Sequence, residues 1–452
     1  MSGLTEVEIP TSVKSIGENA FNYCNNLKKI NYKSTVDNWV EIDFANATSN
    51  PINYAENLYI DGEQISEIKI ENAESIKQYA FIYCKGLKYV EVGSSVKSIG
   101  ASAFNYCSNL KTVYNKSKLD IIKGKTTHGY IAYYANVVGK VENGFIYAAE
   151  NTLIDYIGDT TLVTIDLPNV IEEIIPRIFN RFPNLTSIRI GDNVKNISNE
   201  AFDGCNNLME INVSNENNYF SSVDGVLYNK DKTTLVKFPK AKEGSSFTLL
   251  NTITYIEENA FEDCNQLTSI IWNAQKCNDF DSIEKNPLYG IKDNITSFVF
   301  GEEVEHIPAY LCYEMNNLKE VSISKSVASI GKDAFYNCSG ITSVKWDAIN
   351  CENFTVSTAP FNSICSNITS FVLGEDVEQI PSCLCYNMNN ITDITITNNV
   401  VSIGLDAFLG CDNLISIVWN AKKSDDFTES TSPFNPISTK ISSLTFGTIC
   451  LI

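Results

Sequence analysis

Fourteen cysteines, two histidines and two clusters of carboxylates are the residues of this chain whose types could carry chemistry. Seven of the cysteines close the same segment, Ala-Phe-x-x-Cys: Ala20 to Cys24, Ala80 to Cys84, Ala103 to Cys107, Ala201 to Cys205, Ala260 to Cys264, Ala334 to Cys338 and Ala407 to Cys411. A thiol that recurs behind alanine and phenylalanine reads as a compact buried group, where burial raises its pKa and suppresses its reactivity. The other seven, Cys277, Cys312, Cys351, Cys365, Cys383, Cys385 and Cys450, form no C-x-x-C pair, and no cysteine has a histidine at metal-ligand spacing. No metal site is expected. A bridge between Cys351 and Cys365 is the one disulfide alternative.

The histidines, His128 and His306, stand beside no recognisable serine or cysteine nucleophile motif, so triad and acid–base chemistry have little material. Phosphate loops and dinucleotide fingerprints are absent, so no cofactor is expected. An enzyme would have to use carboxylates alone, from Glu302, Glu303 and Glu305 or from Glu375, Asp376 and Glu378. These clusters fall three repeats apart, about 14 Å at strand spacing, which is too far for a paired-carboxylate glycosidase. They read as a solvated acidic stripe, and the chain reads as no enzyme, with no catalytic residue to assign.

What positions these residues is a repeat. An apolar triplet at positions one, four and six opens each coil, as in Leu4, Val7, Ile9; Leu27, Ile30, Tyr32; Leu87, Val90, Val92; Leu185, Ile188, Ile190; Leu318, Val321, Ile323; and Ile391, Ile394, Ile396. Successive openings are mostly about 23 residues apart. An apolar pair follows, such as Val13 and Ile16 or Val327 and Ile330, and then the Ala-Phe-x-x-Cys segment. The period predicts an α/β solenoid with a short strand on the triplet, a second on the pair, and one helical turn on Ala-Phe-x-x-Cys. About nineteen such coils form one continuous solenoid over residues 1–452.

A second period overlies the first. Ile295-Thr296-Ser297-Phe298, Ile368-Thr369-Ser370-Phe371 and Ile441-Ser442-Ser443-Leu444 recur every 73 residues, so three coils make one super-repeat over residues 267–452. Within it a longer coil carries Trp272, Trp346 or Trp419 and then Asn286-Pro287, Ala359-Pro360 or Ser432-Pro433. Residues 33–64, with Trp39 and Asn50-Pro51, form a related insertion-bearing coil, and residues 115–161 are irregular. The three tryptophans could stack on sugars, but each takes the sixth triplet position, which faces inward, so core packing is expected. Tyr130, Tyr133 and Tyr134 are better surface candidates.

With 54 acidic against 34 basic residues the net charge is -20, and no basic patch offsets it, so nucleic acid is not an expected partner. No apolar run approaches the roughly 20 residues that span a bilayer, and no signal peptide is present, so no membrane insertion is expected. Both ends fall within the repeat, which reads as a fragment of a longer protein.

These residues resemble the BspA type of leucine-rich repeat, most closely from Leu4 to Cys24, and the segment Tyr219 to Lys230 resembles the loop-bearing coil found between its blocks. The coils around Cys312 and Met315 and around Cys385 and Met388 depart from it, with Cys at the Phe position and Met at the Cys position. The resemblance implies an extracellular or cell-surface protein that adheres to host matrix or cell-surface proteins, with no shared catalytic residues. A glycan-binding module and an intracellular scaffold are the alternatives. The ligand-binding residues are unassigned at this point.

Overall fold

The computed structural model describes residues 2–422, 425, 428, 432–434 and 437–447. Backbone contacts group the chain into two units, residues 1–159 with 168–178, and residues 160–167 with 179–452. Among the described residues they carry about nineteen coils.

In each unit the triplets form short parallel strands. In the first, Glu6–Ile9 pairs with Lys29–Tyr32, and Glu67–Ile70, Tyr89–Val92, Thr112–Asn115 and Val137–Glu142 follow one another in register. In the second, Glu320–Ile323, Ser343–Trp346 and Ser370–Leu373 show the pattern, with Val321 opposite Val344 and Val344 opposite Phe371, and with Ile323 opposite Trp346 and Trp346 opposite Leu373. Alternation along a strand sends positions four and six to one face. Val321 and Ile323 are accordingly buried while Ser322 between them is exposed. Each such buried aliphatic side chain contributes about 1.5–3 kcal/mol of transfer free energy. The apolar pair also ends in a short strand: Ser75–Ile76 pairs with Ser98–Ile99, His306–Ile307 with Ser329–Ile330, and Gln379–Ile380 with Ser402–Ile403.

The third side of the coil differs from the helical turn expected there. Ala-Phe-x-x-Cys is a chain of tight turns, in which Asn22 N–H donates to Asn19 O, Cys24 N–H to Phe21 O and Leu27 N–H to Cys24 O. Left-handed residues bracket the segment. One precedes the alanine and one precedes the cysteine, as in Tyr79 and Tyr83 (φ 59° and 59°), Ser102 and Tyr106 (56° and 62°) or Asp333 and Asn337 (55° and 57°). A helix cannot run through alternating hands, because each left-handed L-residue puts Cβ against the next carbonyl.

The aromatic and thiol of this segment build the core. Phe81 stacks on Phe104 at 5.2 Å, and Phe335 stacks at 5.4 Å on Phe361 of the long coil. The cysteine does more than fill volume: Cys107 Sγ donates to Phe81 O at 3.0 Å, Cys338 to Cys312 O at 2.8 Å and Cys411 to Cys385 O at 3.0 Å. Each thiol thereby binds a backbone carbonyl of the coil before. The variant coils keep the arrangement, with Cys312, Met315, Cys385 and Met388 all buried. In two of the long coils a buried asparagine before proline makes a comparable link to the coil after: Asn50 Nδ2 donates to Tyr79 O and Ala80 O, and Asn286 Nδ2 to Tyr310 O and Leu311 O.

Two coils carry an antiparallel meander. Val137–Glu142, Phe145–Tyr147 and Thr152–Tyr156 form one, turning at Asn143 and Gly144 (φ 51° and 84°). Phe220–Val223, Val226–Asn229 and Thr234–Lys237 form the other, turning at Asp224 and Gly225 (φ 50° and 73°). Two consecutive positive φ values make the hairpin turn whose twist matches paired strands, and Asx-Gly is its preferred sequence. In both, the last strand leaves the triplet ladder and pairs in parallel with the second ladder, at Glu173–Ile174 and at Tyr255–Ile256. The irregular residues 115–161 thus contain the same device as the segment from Tyr219 to Lys230.

Candidate functional site

One constellation has the form of a catalytic triad. His306 Nε2 lies 2.8 Å from Asp279 Oδ1 and its Nδ1 lies 2.7 Å from Ser329 Oγ, beside an opening of about 480 Å³. Sequence reading missed this partnership because the three residues come from different coils. The coil period was the available signal, since His306 and Ser329 are direct strand partners. A nucleophilic serine also needs donors for the developing oxyanion. The backbone N–H groups of Ala328, Ser329 and Gly331 are all bound to carbonyls of the preceding coil.

The next super-repeat supplies the structural reading. There Asn353, Gln379 and Ser402 take the three places, with Gln379 Nε2 donating to Asn353 Oδ1. Asn353 Oδ1 accepts from Ser382 N–H at 2.8 Å, as Asp279 Oδ1 accepts from Ala309 N–H at 2.7 Å. Amides keep two of these hydrogen bonds, the one between the first and second places and the one to the backbone, without acid or base, so the cluster reads as a clasp between coils.

The acidic clusters are spent on contacts between coils and on solvent. Hydrogen bonds from Lys276 and Gln275 hold the Glu305 carboxyl below the usual carboxylate range, Glu303 accepts from Asn251, and Glu378 accepts from Asn350. Glu302, Glu303, Glu375 and Asp376 are exposed. Among the described residues no three His, Cys, Asp or Glu come together as a metal site. Trp39, Trp272 and Trp346 are fully buried, and Trp419 is half-buried. The first three therefore offer no sugar platform.

Tyrosines do reach the surface, along the turn edge. In the first unit Tyr83 stacks on Tyr106 at 4.3 Å, and Tyr133 packs edge-on against Tyr130 at 5.7 Å and Tyr134 at 4.8 Å. Burial, and then the Tyr133 and Tyr106 hydroxyls, push the Tyr134 phenol up. Tyr23, Tyr106 and Tyr133 are 72%, 46% and 44% exposed. In the second unit Tyr313 stacks on Tyr336 at 5.0 Å and meets Tyr289 and Tyr310.

The backbone under Tyr23, Tyr83 and Tyr106 is left-handed, with φ of 59°, 59° and 62°. In other coils this place before the cysteine, or before the methionine in the variant coils, belongs to Gly204, Asp263, Glu314, Asn337, Asn387 and Gly410, all at positive φ, so that five of the six are glycine, asparagine or aspartate. Glycine, asparagine and aspartate tolerate that region, whereas a bulky residue there is strained, by roughly 1–2 kcal/mol. Three coils of the first unit therefore hold tyrosine where a cheaper residue would fold better.

Comparison with known proteins matches this architecture. A family model described as the BspA type leucine-rich repeat region matches in six copies, over residues 1–111, 53–126, 156–243, 236–362 and 355–445. The chain belongs to the BspA-type leucine-rich repeat family. Similar solved structures include the pneumococcal vaccine antigen PcpA (16% identity, 98% of this chain and 80% of that one, TM-score 0.34). A leucine-rich repeat protein from Eubacterium ventriosum is similar at 20% identity (94% and 91%, TM-score 0.27), and one from Bacteroides ovatus at 16% (98% and 92%, TM-score 0.31). No curated protein matches the chain. Leucine-rich repeat proteins generally bind proteins, and the solenoid is typically non-enzymatic. No helix among the described residues is long and apolar enough to cross a membrane.

The BspA-type cysteine ladder has a measurable consequence. All thirteen described cysteines are free thiols, Cys351 and Cys365 included, and only Cys365 is not buried. Cys450 lies outside the described residues. Desolvation pushes Cys84, Cys205, Cys338 and Cys411 up to about 12. With Cys450 replaced by serine, a thiol reagent at pH 8 is expected to modify Cys365 first and the ladder only on unfolding. Fast modification of several native thiols would contradict the ladder. Unfolded thiols ionise near pH 8.5, so this stabilisation is complete below that pH and is lost as pH rises towards the folded values.

Proposed function

We propose that this chain is a non-enzymatic protein-binding module that works in adhesion at a cell surface or in the extracellular space, through the tyrosine-bearing turn edge of its first unit. The observation that carries this reading is the strained backbone under Tyr23, Tyr83 and Tyr106, with Tyr23 and Tyr106 exposed. Strain retained at an exposed aromatic points to a role other than folding. Tyrosine supplies large contact area at small entropic loss and is enriched among interface hot spots. The surface location and the matrix or cell-surface partner rest on the family resemblance. Protein is favoured over glycan because Tyr83 and Tyr106 cover one another's ring faces, which a stacked sugar would need.

The test is the double variant Tyr23→Asn/Tyr106→Asn. Its thermal midpoint should stay equal or rise, since asparagine accepts the left-handed backbone, while binding to immobilised extracellular-matrix proteins and host cells falls at least tenfold. Wild-type binding no stronger than that of an unrelated acidic protein would sink the reading, and so would a variant that binds undiminished. A glycan array run in parallel would expose the sugar alternative.

A further inference from the structure

A groove of about 640 Å³ lies in the first unit, between the loop after Thr112–Asn115 and the first meander. Its floor is Tyr114 and Ile154, and Ile122 and Val137 line it while remaining 46% and 36% exposed. One wall is the loop after Thr112–Asn115, and it is a built wall. The buried Asn115 side chain donates to Leu119 O at 2.7 Å and accepts from Ser117 N–H at 2.9 Å, and Gly124 N–H donates to Ala132 O. The opposite wall is the turn of the meander, where Asn151 Nδ2 donates to Glu172 Oε1 and Glu172 N–H to Asn151 O. Gly139 makes the floor possible, since a Cβ there would stand 2.3 Å from Ile146 Cγ2.

Lys123 and Lys140 stand at this apolar groove. Among the described residues neither has a carboxylate within ion-pair distance, in a chain with 54 acidic residues, and one acid, Glu150, also lines the groove. Volume and lining are those of a small-molecule site, an apolar body with few polar groups. We propose that the groove binds a medium-chain aliphatic carboxylate, its chain along Val137, Ile122 and Ile154 and its head group between Lys123 and Lys140. The aliphatic lining sets the body, and the two uncompensated ammonium groups set the sign of the head.

Titration of the full chain with decanoate below its micellar concentration, followed by calorimetry, tests this site. Saturable one-to-one binding is expected. It should weaken about tenfold in Lys123→Gln/Lys140→Gln, as two exposed ion pairs are lost. A groove-filling Val137→Trp should abolish it, with an unchanged circular dichroism spectrum as the check on folding. Decanol should bind more weakly than decanoate to the wild type and equally to both lysine forms. Absence of saturable binding would overturn the proposal, as would decanoate binding that ignores both variants or decanol binding as tightly as decanoate.

Discussion

Replacing Asn217 with leucine is expected to destabilise its unit by about 3–5 kcal/mol. Asn217 is fully buried and uses its whole amide: Nδ2 donates to Gly191 O at 2.7 Å and Val194 O at 2.9 Å, while Oδ1 accepts from Tyr219 N–H and Phe220 N–H at 2.8 Å each. Leucine keeps the branched shape but is larger, so overpacking at this buried site adds to the loss. What it leaves is backbone groups in two coils without partners, each worth about 1–3 kcal/mol when buried. Aspartate would not rescue the site, since a carboxylate would face two carbonyl oxygens. The measurements are the urea midpoint and hydrogen exchange at Tyr219 and Phe220, which should become fast together. A shift below about 1 kcal/mol would mean that the asparagine is not the link between those coils.

Trp346→Ala should have an effect of similar size for a different reason. The side chain is wholly buried, 6.4 Å from Phe354 between ring centres, so truncation opens a cavity costing about 3–5 kcal/mol. Among the described residues its indole N–H has no hydrogen-bond partner. Trp346→Phe therefore removes a buried donor together with some volume and should recover most of the loss, to within about 1.5 kcal/mol of the wild type. Trp39 differs, because its Nε1 donates to Ala80 O at 2.8 Å. If Trp346 were instead an exposed platform for sugars, the alanine variant would stay within about 0.5 kcal/mol of the wild type. Thermal unfolding of Trp346→Ala and Trp346→Phe side by side decides between these outcomes.

Both strand ladders were legible because alternation and the coil period are properties of sequence. The same phase argument put Trp272 and Trp346 inside correctly. It was less successful for Trp419, whose covering strand Ser443–Phe446 leaves Leu444 and Phe446 exposed. The Ala-Phe-x-x-Cys turn was misread as helical because spacing alone does not distinguish a helical turn from consecutive tight turns. The residues that break the helix, such as Tyr79 and Ser102, carry no compositional mark of a left-handed backbone. That same silence hid the tyrosine edge. Asn143-Gly144 is a sequence mark of the first meander, but it lies outside the triplet pattern. The clasp of Asp279, His306 and Ser329 needed the stacking of coils to become visible, as did the stacking of Tyr83 on Tyr106.

The super-repeat of 73 residues in the second unit, with its strands held in register by the neighbouring coils, bears on how such a gene changes length. A crossover between Ile295 and Ile368 joins two points that are both fully buried just ahead of equivalent strands. Loss or duplication of that interval keeps the reading frame, and each coil still meets a neighbour of the kind it had before. Unequal recombination can thus lengthen or shorten the protein in single steps, with selection acting afterwards on the exposed residues alone.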